Sequence, residues 1–441
     1  MLERSVRIRY WLPLVLVAIL LVLQVFSPAR AILFVLVALS GALLLSYLWA
    51  VTLSRRVSVQ RLRRYGWAQV GDVIQERWTM HNDALVPLLW AHVHEHSDLL
   101  GYDATRAVGM GPRSSQQWIT QGICRMRGVY TLGPLVVTMG DPFGFFEARL
   151  VDRHSDTFVV YPPVVDLPEL LEERGIDRGS GRASARSLAA TPNASSTRPY
   201  VRGDALKWIH WRSTARRSLP GAENLQVKIF DREPSGDLWV VLDMDARSHA
   251  GRGEESTEEY SVVLASSLAG QMLQANRAVG LISHTAEPIL VPPGKGHDQL
   301  WELLRALAPV YAVSEVGLHH LLHLAMPLLD RNTSVVVITA SADPAWIDGL
   351  GMLLARGITP SVMLVDGASF GGGASVTGVQ GALADLRVPA HVIRKGMGLR
   401  RETRPNQNPQ FQVLGTGRVT VVNPRAQGEW VPVGAPLGDQ R

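Results

Sequence analysis

One cysteine, Cys124, stands in 441 residues, so no intramolecular disulfide can form and a sulfur-stapled fold is excluded. That fits a reducing compartment, and no neighbouring motif would make Cys124 a nucleophile. Acids are nearly missing from the first stretch of chain. Glu3 alone faces Arg4, Arg7, Arg9, Arg30, Arg55, Arg56, Arg61, Arg63 and Arg64, a local surplus of +8 in a chain of net charge +5 that leaves the remainder at −3. The basic excess is therefore membrane-proximal and is not a nucleic-acid footprint. Familiar catalytic signatures are missing too. Pro292-Pro293-Gly294-Lys295-Gly296 lacks phosphate-loop spacing and reads as a turn, and His319 and His323, four apart on a helix, have no Glu between them as a metalloprotease would need. No Ser/His/Asp arrangement can be nominated.

What the chain does have begins with two apolar runs, Trp11 to Phe26 and Ala31 to Leu53, split by Ser27-Pro28-Ala29-Arg30. The second is long enough to span a bilayer; the first reaches ~20 residues only if Ile8 to Tyr10 enter and Arg9 snorkels. Arginines flank both runs, which favours a helical hairpin with the bulk of the chain on the cytoplasmic side. The alternative is a signal peptide with a small-x-small site at Ala29-Arg30-Ala31, followed by a stop-transfer segment.

From Val57 to about Pro163 the apolar period changes to two. Val57 to Gln60, Leu89-Ala91-Val93, Gln117 to Met126, Leu135-Val137-Met139 and Phe158 to Val160 read as short strands between Gly, Pro, Asn and Asp turns, the pattern of an immunoglobulin-like sandwich. Phe143, Phe145 and Phe146, after the Asp141-Pro142 turn, read as core, with an edge anchor as the alternative. His92, His94 and His96 share one side of a strand. Leu89, Ala91 and Val93 take the opposite, buried parity, so the histidines read as a solvated face rather than a zinc site.

Glu169 to Thr197 is rich in Gly, Ser, Ala and Arg and reads as a linker. It leads into the densest stretch of the chain, where Arg198, Arg202, Lys207, Arg212, Arg216 and Arg217 surround one acid, Asp204, with Tyr200, Trp208 and Trp211 interleaved. Asp204 reads as the N-cap of a short helix from Ala205, with Trp208, Trp211 and Ala215 on one face and Lys207, Arg212 and Arg216 off it. The segment is either a seam, in which Trp208 and Trp211 fill the space between domains, or a partner-binding surface of excess positive charge. Its Arg198-x-Tyr200-x-x-Gly203-Asp204 pattern, followed by Ile209-x-Trp211 and Ala215-Arg216, resembles the signature of a bacterial family known as domain of unknown function fifty-eight. Arg127 to Leu135 and Asp141 to Phe146 resemble the upstream β-domain motif of the same family.

Beyond Asp237, strands alternate with helices, which implies a mostly parallel, doubly wound sheet. Strands are expected at Leu238 to Leu242, Val279 to Ile282, Ile289 to Val291, Val335 to Thr339, Val362 to Val365 and His391 to Ile393. Helices are expected after Ser256 (a capping box with Glu259) and over Asp298 to Leu307, Val316 to Leu329 and Pro344 to Ala355. After Arg400 only Arg418 to Val422 suggests a strand. Ligands of such sheets gather beyond the strand carboxyl ends, which selects Asp243, Asp245, Ser283, Ser341, Asp343 and Asp366.

The family resemblance implies a von Willebrand factor A-like domain here, a fold that holds a divalent cation on an Asp-x-Ser-x-Ser motif. Asp243-Met244-Asp245-Ala246-Arg247 departs from that motif, and Ala340-Ser341 stands where an acid is common. Arg247 would repel a dication and is placed to pair with Asp243, so Asp243 and Asp245 read as a degenerate metal site and no cofactor is expected, with magnesium the less favoured alternative. The alternative is a metal-dependent phosphatase-like hydrolase using Asp243 as nucleophile and Asp245 as general acid/base.

The domains expected are therefore a transmembrane hairpin (1–54), a β-sandwich (55–165), linker and basic signature (166–234), a von Willebrand A-like α/β domain (235–396) and a tail (397–441). The whole reads as a multi-pass, cytoplasm-facing adaptor. The resemblance implies an AAA-type ATPase of the MoxR group and a transglutaminase-like membrane protein as partners. A reporter fused after Val165 is expected to be active on the cytoplasmic side; activity on the opposite side would reverse the topology.

Overall fold

The computed structural model describes residues 2–167, 194–200, 209–217, 225–230, 236–330, 333–397, 399, 411–413, 419–421 and 431–432. The chain divides into two compact units, Met1–Pro163 with Arg400–Arg441, and Val164–Leu399.

In the first unit, Arg4 and Arg7, ahead of the opening apolar run, belong to a strand, β1 (Leu2–Ile8). Helices α1 (Leu12–Phe26) and α2 (Arg30–Arg56) follow. Ile8 to Tyr10 do not extend α1, because Ile8 ends β1 and the Arg9 N–H donates to Phe145 O at 2.9 Å. Pro28 explains the break between the helices: it disfavours helical backbone at Ser27 and offers no donor. Then come β2 (Val57–Arg63), β3 (Trp67–Gln69), β4 (Val73–Asn82), β5 (Leu88–Ser97), β6 (Arg106–Met110), β7 (Ser114–Ile123), β8 (Gly128–Gly140), β9 (Phe146–Asp152) and β10 (Asp156–Tyr161).

One sheet runs β1-β9-β8-β10-β3, with β5 joining β8 and β6. The other holds β2, β4 and β7, and a two-residue strand at Val431–Pro432 completes it. Strand β1 pairs with β9 antiparallel from Leu2↔Asp152 to Ile8↔Phe146. Both sheets contribute to one core, including Trp78, Met80 and Trp118 from one and Val93, Leu132 and Phe158 from the other.

That core also contains charge. Arg61 donates to both oxygens of Glu76 at 2.7 Å and contacts Glu95; Arg63 reaches Asp156 at 3.0 Å; Tyr102 donates to Glu76. The guanidinium groups of Arg61 and Arg63 also lie over the rings of Trp78 and Phe158. The positive-inside reading of Arg61 and Arg63 is thereby corrected, since in the folded chain their charges meet buried acids and not lipid headgroups. Burial pushes the Glu95 carboxyl up to about 7 against the opposing pull of Arg61, and it lowers Arg63. Cys124 is fully buried and its thiol is pushed up to about 12, which leaves it inert.

The histidines of β5 do lie on the outer face, with His94 Nδ1 3.0 Å from the Thr105 hydroxyl. Leu89 is exposed, contrary to its expected parity, because a bulge between Leu88 and Ala91 passes the buried position to Leu88. The three phenylalanines divide: Phe146 is core, Phe145 is half-buried and Phe143 is exposed.

The second unit opens with Val165 and Leu167 against its core. Strand β11 (Ala194–Pro199) pairs antiparallel with β12 (Gln226–Phe230), with α3 (Trp211–Arg217) between them in sequence. Residues 194–199 are thus a strand and not linker, while 168–193 lie outside the described residues. The α/β sheet is built from β13 (Leu238–Leu242), β16 (Val279–His284), β17 (Pro288–Gly294), β18 (Ser334–Thr339), β19 (Thr359–Val365) and β20 (Ala390–Ile393). Two short strands, β14 (Gly251–Arg252) and β15 (Glu255–Ser256), follow β13 in sequence. Helices α4 (Thr257–Gln274), α5 (Gly296–Leu307), α6 (Leu318–Ala325), α7 (Ile347–Ala355) and α8 (Thr377–Asp385) connect the sheet.

The Ser256 side chain accepts the Glu259 N–H as the capping box requires. The order is β17-β16-β13-β18-β19-β20, parallel except for edge strand β17. Pro292 and Pro293 belong to that edge strand, where a missing N–H donor is tolerated, rather than to a turn. Helix α8 was unforeseen, because its Gly/Ala-rich sequence shows little apolar periodicity.

Because the folded chain binds a proton at Glu95 that the unfolded chain has released, stability is expected to fall as pH rises from about 4.5 to about 7. Thermal unfolding of the full chain across that range should show this decline, and Glu95→Gln should flatten it. An unchanged slope in the variant would assign the decline to another group.

Candidate functional site

The strand order places a topological switch between β13 and β18, whose connections leave to opposite sides of the sheet. Asp243 follows the last residue of β13 and Thr339 ends β18, so register brings the two side chains together. The Thr339 hydroxyl donates to Asp243 Oδ2 at 2.6 Å, and the Asp245 N–H donates to Oδ1 at 3.1 Å. Asp243 is only 1% exposed, and burial raises its carboxyl above the usual range although Thr339 opposes the shift.

Arg247 pairs with Asp245 and not, as expected, with Asp243. Its Nε and Nη2 donate to the two Asp245 oxygens at 2.9 and 2.7 Å, a bidentate fork that holds Asp245 below the usual carboxylate range. The reason is reach. Two residues apart on one turn, Arg247 also donates its own N–H to Asp245 Oδ1, while Asp243 is turned inward to Thr339.

His249 was not foreseen by any spacing rule: Nε2 lies 3.0 Å from Asp243 O and Nδ1 3.0 Å from the Thr257 hydroxyl. Ser283 donates to Leu242 O and braces β13 against β16. Ser341 and Asp343 organise the next turn: Ser341 accepts the Asp343 N–H, and Asp343 caps the helical turn at Ala345. Asp366 lies 3.6 Å from the Arg394 guanidinium. These loops enclose a cleft of about 560 Å³, lined by Asp245, Arg247, His249, Ser341, Asp343 and the Gly372-Gly373 turn among others. Among the described residues no group of three or more His, Cys, Asp or Glu is arranged to hold a metal ion.

The basic signature lies apart from this cleft in sequence. Arg202, Gly203, Asp204, Lys207 and Trp208 lie outside the described residues, and with them the proposed N-cap and the helix start at Ala205. Arg198 is in β11, and the Tyr200 N–H donates to Leu225 O. Ile209 makes an isolated antiparallel bridge with Val227, so the helix described begins at Trp211. Thr214 is its buried residue and accepts the Gln226 N–H at 2.9 Å. That bond turns the Trp211 and Ala215 face outward. Trp211 is 68% exposed beside exposed Arg212 and Arg216.

A six-stranded sheet of this order with its carboxyl-end cleft defines a von Willebrand factor A-like α/β domain. Residues 196–369 match the family model described as protein of unknown function DUF58, and this part of the chain is a domain of that family. The match leaves the upstream sandwich motif outside it. An uncharacterized protein of Bacillus subtilis (strain 168), YeaD, is 26% identical over 182 residues, which is 41% of this chain and 42% of that protein. The chain thus matches less than half of that relative's length.

Among solved structures, proximal thread matrix protein 1 of the mussel byssus aligns over 30% of this chain and 38% of its own, at 10% identity and a TM-score of 0.23. The CARDB domain of a Pyrococcus furiosus protein aligns over 24% and 91%, at 11% identity and a TM-score of 0.18. Similarity that slight bears on neither site nor activity.

Thr339→Val should leave a buried Asp243 oxygen without its donor and cost about 1–3 kcal/mol in chemical unfolding of the full chain. A variant as stable as the original would mean that Asp243 is satisfied without Thr339.

Proposed function

We propose that the chain is a membrane-anchored, cytoplasm-facing adaptor whose α/β unit docks protein partners. The observation that carries this reading is the state of the switch point, where both carboxylates are engaged within the chain. A phosphatase would need Asp243 exposed as nucleophile and Asp245 free to move a proton. Instead Asp243 is buried on Thr339 and Asp245 is held by Arg247. The cleft is left with a mixed polar lining suited to binding.

For the anchor, α2 is long and apolar enough to cross a membrane, while α1 is shorter. The pairing of β1 with β9 supports a two-helix hairpin, because the residues before α1 and after α2 then lie in one folded unit and on one side of any bilayer. A cut near Ala29 would remove β1 from its sheet, which weighs against the signal-peptide alternative. Arg4, Arg7, Arg9, Arg55 and Arg56 on the sheet side outnumber Arg30 at the hairpin tip, which favours the cytoplasm for that side. The layering of the two sheets of the first unit is read as immunoglobulin-like within the same proposal.

The partners proposed, an AAA-type ATPase of the MoxR group and a transglutaminase-like membrane protein, rest on the family resemblance. The docking residues proposed are Trp211, Arg212 and Arg216 on the exposed face of α3, with Arg198, Tyr200, Arg202, Asp204, Lys207 and Arg217 of the same signature. An exposed indole leaves no cavity when removed, so Trp211→Ala should change stability by no more than about 0.5 kcal/mol. The same variant, and Arg212→Ala, should capture less of the ATPase from solubilised membranes, with the Arg212→Ala deficit narrowing at high salt as the wild type's own attraction is screened. Undiminished capture by both folded variants would sink the docking role of this face.

A further inference from the structure

The helical hairpin is too short to cross a bilayer on the helix turns that stand clear of the sheets. α1 has 15 residues, about 22 Å of helix, against a hydrocarbon core of ~30 Å. The far end of α2 is not free, because Leu43, Ser46, Ala50, Leu53 and Ser54 are buried, and Leu43, Ala50 and Leu53 join the core of the first unit. From Arg30 to Ala42 only about 20 Å remains. Stopping there would leave the Arg30 charge at the hairpin tip inside the hydrocarbon.

The outer face of α2 resolves the shortfall. Leu44, Leu45, Tyr47 and Leu48 are exposed there, and counting the helix to Leu48 extends the apolar length to about 28 Å. Those turns, however, lie beside the sheet: the Tyr47 ring packs edge-on against Phe146 at 5.6 Å. If this part of α2 is in the membrane, the end of the sheet that carries Phe146 is at headgroup depth with it.

That end is built for such a place. Asp141 accepts N–H groups from Phe143 at 2.9 Å and Phe146 at 2.7 Å, and Gly144 takes φ +74°, so the β8–β9 turn is held rigidly with an apolar tip. Phe143 is 55% exposed and stacks on Phe145 at 5.8 Å. The bond from Arg9 N to Phe145 O sets Tyr10 and Trp11, also mostly exposed, beside the same turn. The Arg9 guanidinium lies 6.0 Å from the Trp90 ring, and that indole lies against Gly140, where a Cβ would come within 2.2 Å of it. Aromatic rings with an arginine among them match the chemistry of the bilayer interface, where the rings take the acyl boundary and the guanidinium takes the phosphates.

We infer that this end of the first unit, centred on the Phe143 turn with Tyr10 and Trp11, is a lipid-binding surface seated in the headgroup layer of the bilayer that holds the hairpin. The inference rests on the membrane reading given above. It makes the sandwich a partly embedded body rather than one tethered in water.

The test uses the full chain in vesicles of phosphatidylcholine and phosphatidylglycerol, with nitroxide labels on single introduced cysteines. Cys124 is fully buried and can stay in place. Labels at Phe143→Cys, at Val22→Cys in α1 and at Leu290→Cys on exposed β17 are compared by collision with oxygen and with a water-soluble nickel chelate. The label at 143 should favour oxygen several-fold over the label at 290 and approach the label at 22. A label at 143 that behaves like the one at 290, while the label at 22 stays in lipid, would overturn the interfacial surface and leave the membrane anchor standing. A label at 22 exposed to the chelate like the one at 290 would overturn both.

Discussion

The first unit depends on a cluster of charges placed where charge is least expected. Arg61, Arg63, Glu76 and Glu95 meet between two sheets, braced by Tyr102 and by the faces of Trp78 and Phe158. Such a cluster adds little net stability, because desolvating four ions costs about as much as their attraction returns. What it contributes is register. A one-residue slip of β4 would turn Glu76 to solvent and take from Arg61 its bidentate partner, leaving it only Glu95, so only one alignment of β2, β4 and β5 satisfies the cluster. The other strands, and through β1 and β9 the two helices, are positioned on that alignment.

Much of this architecture was legible as pattern, and the failures have identifiable causes. The α/β strands were readable because fully buried parallel strands are short apolar runs, as in Leu238 to Leu242 and Val335 to Thr339. Strand β4 was not, because Glu76 and Asn82 occupy its buried parity and break the alternation. Strand β1 was hidden for a different reason: three arginines before an apolar helix look like a membrane flank even though two of them, Arg4 and Arg7, also sit in a ladder. At the switch point, Asp243 and Asp245 could be found from strand ends alone. Thr339 was seen only as a strand terminus, and its bond to Asp243 depends on a register across 96 positions of sequence that no local pattern encodes. On α3 the pattern left the apolar face open to either burial or exposure, and the bond to the Thr214 hydroxyl that orients the helix is not encoded in it.

The two units handle charge in opposite ways. The first draws arginines inward and neutralises them. The second keeps Arg247 at the mouth of its cleft and Arg212 and Arg216 on an open helix face, where their charge can be felt by another molecule. At the switch point the Asp245 carboxylate is already paired with a cationic side chain of its own chain.

Strand β1 has a consequence for the order of events during synthesis. It is made well before its partner β9, which follows only after the helices and seven further strands. At ~5–20 residues per second the wait is on the order of 10–30 s, long compared with the microseconds in which a helical hairpin can form. Throughout that time β1 is an unpaired edge. Glu3, Arg4 and Arg7 punctuate it with charge, as natural sequences do to keep waiting edges from pairing with the wrong neighbour. In the proposed membrane arrangement, the hairpin would be committed to its bilayer before the sheet that fixes its depth exists, and the closing of β9 onto β1 would be the step that draws the rest of the unit down to the membrane.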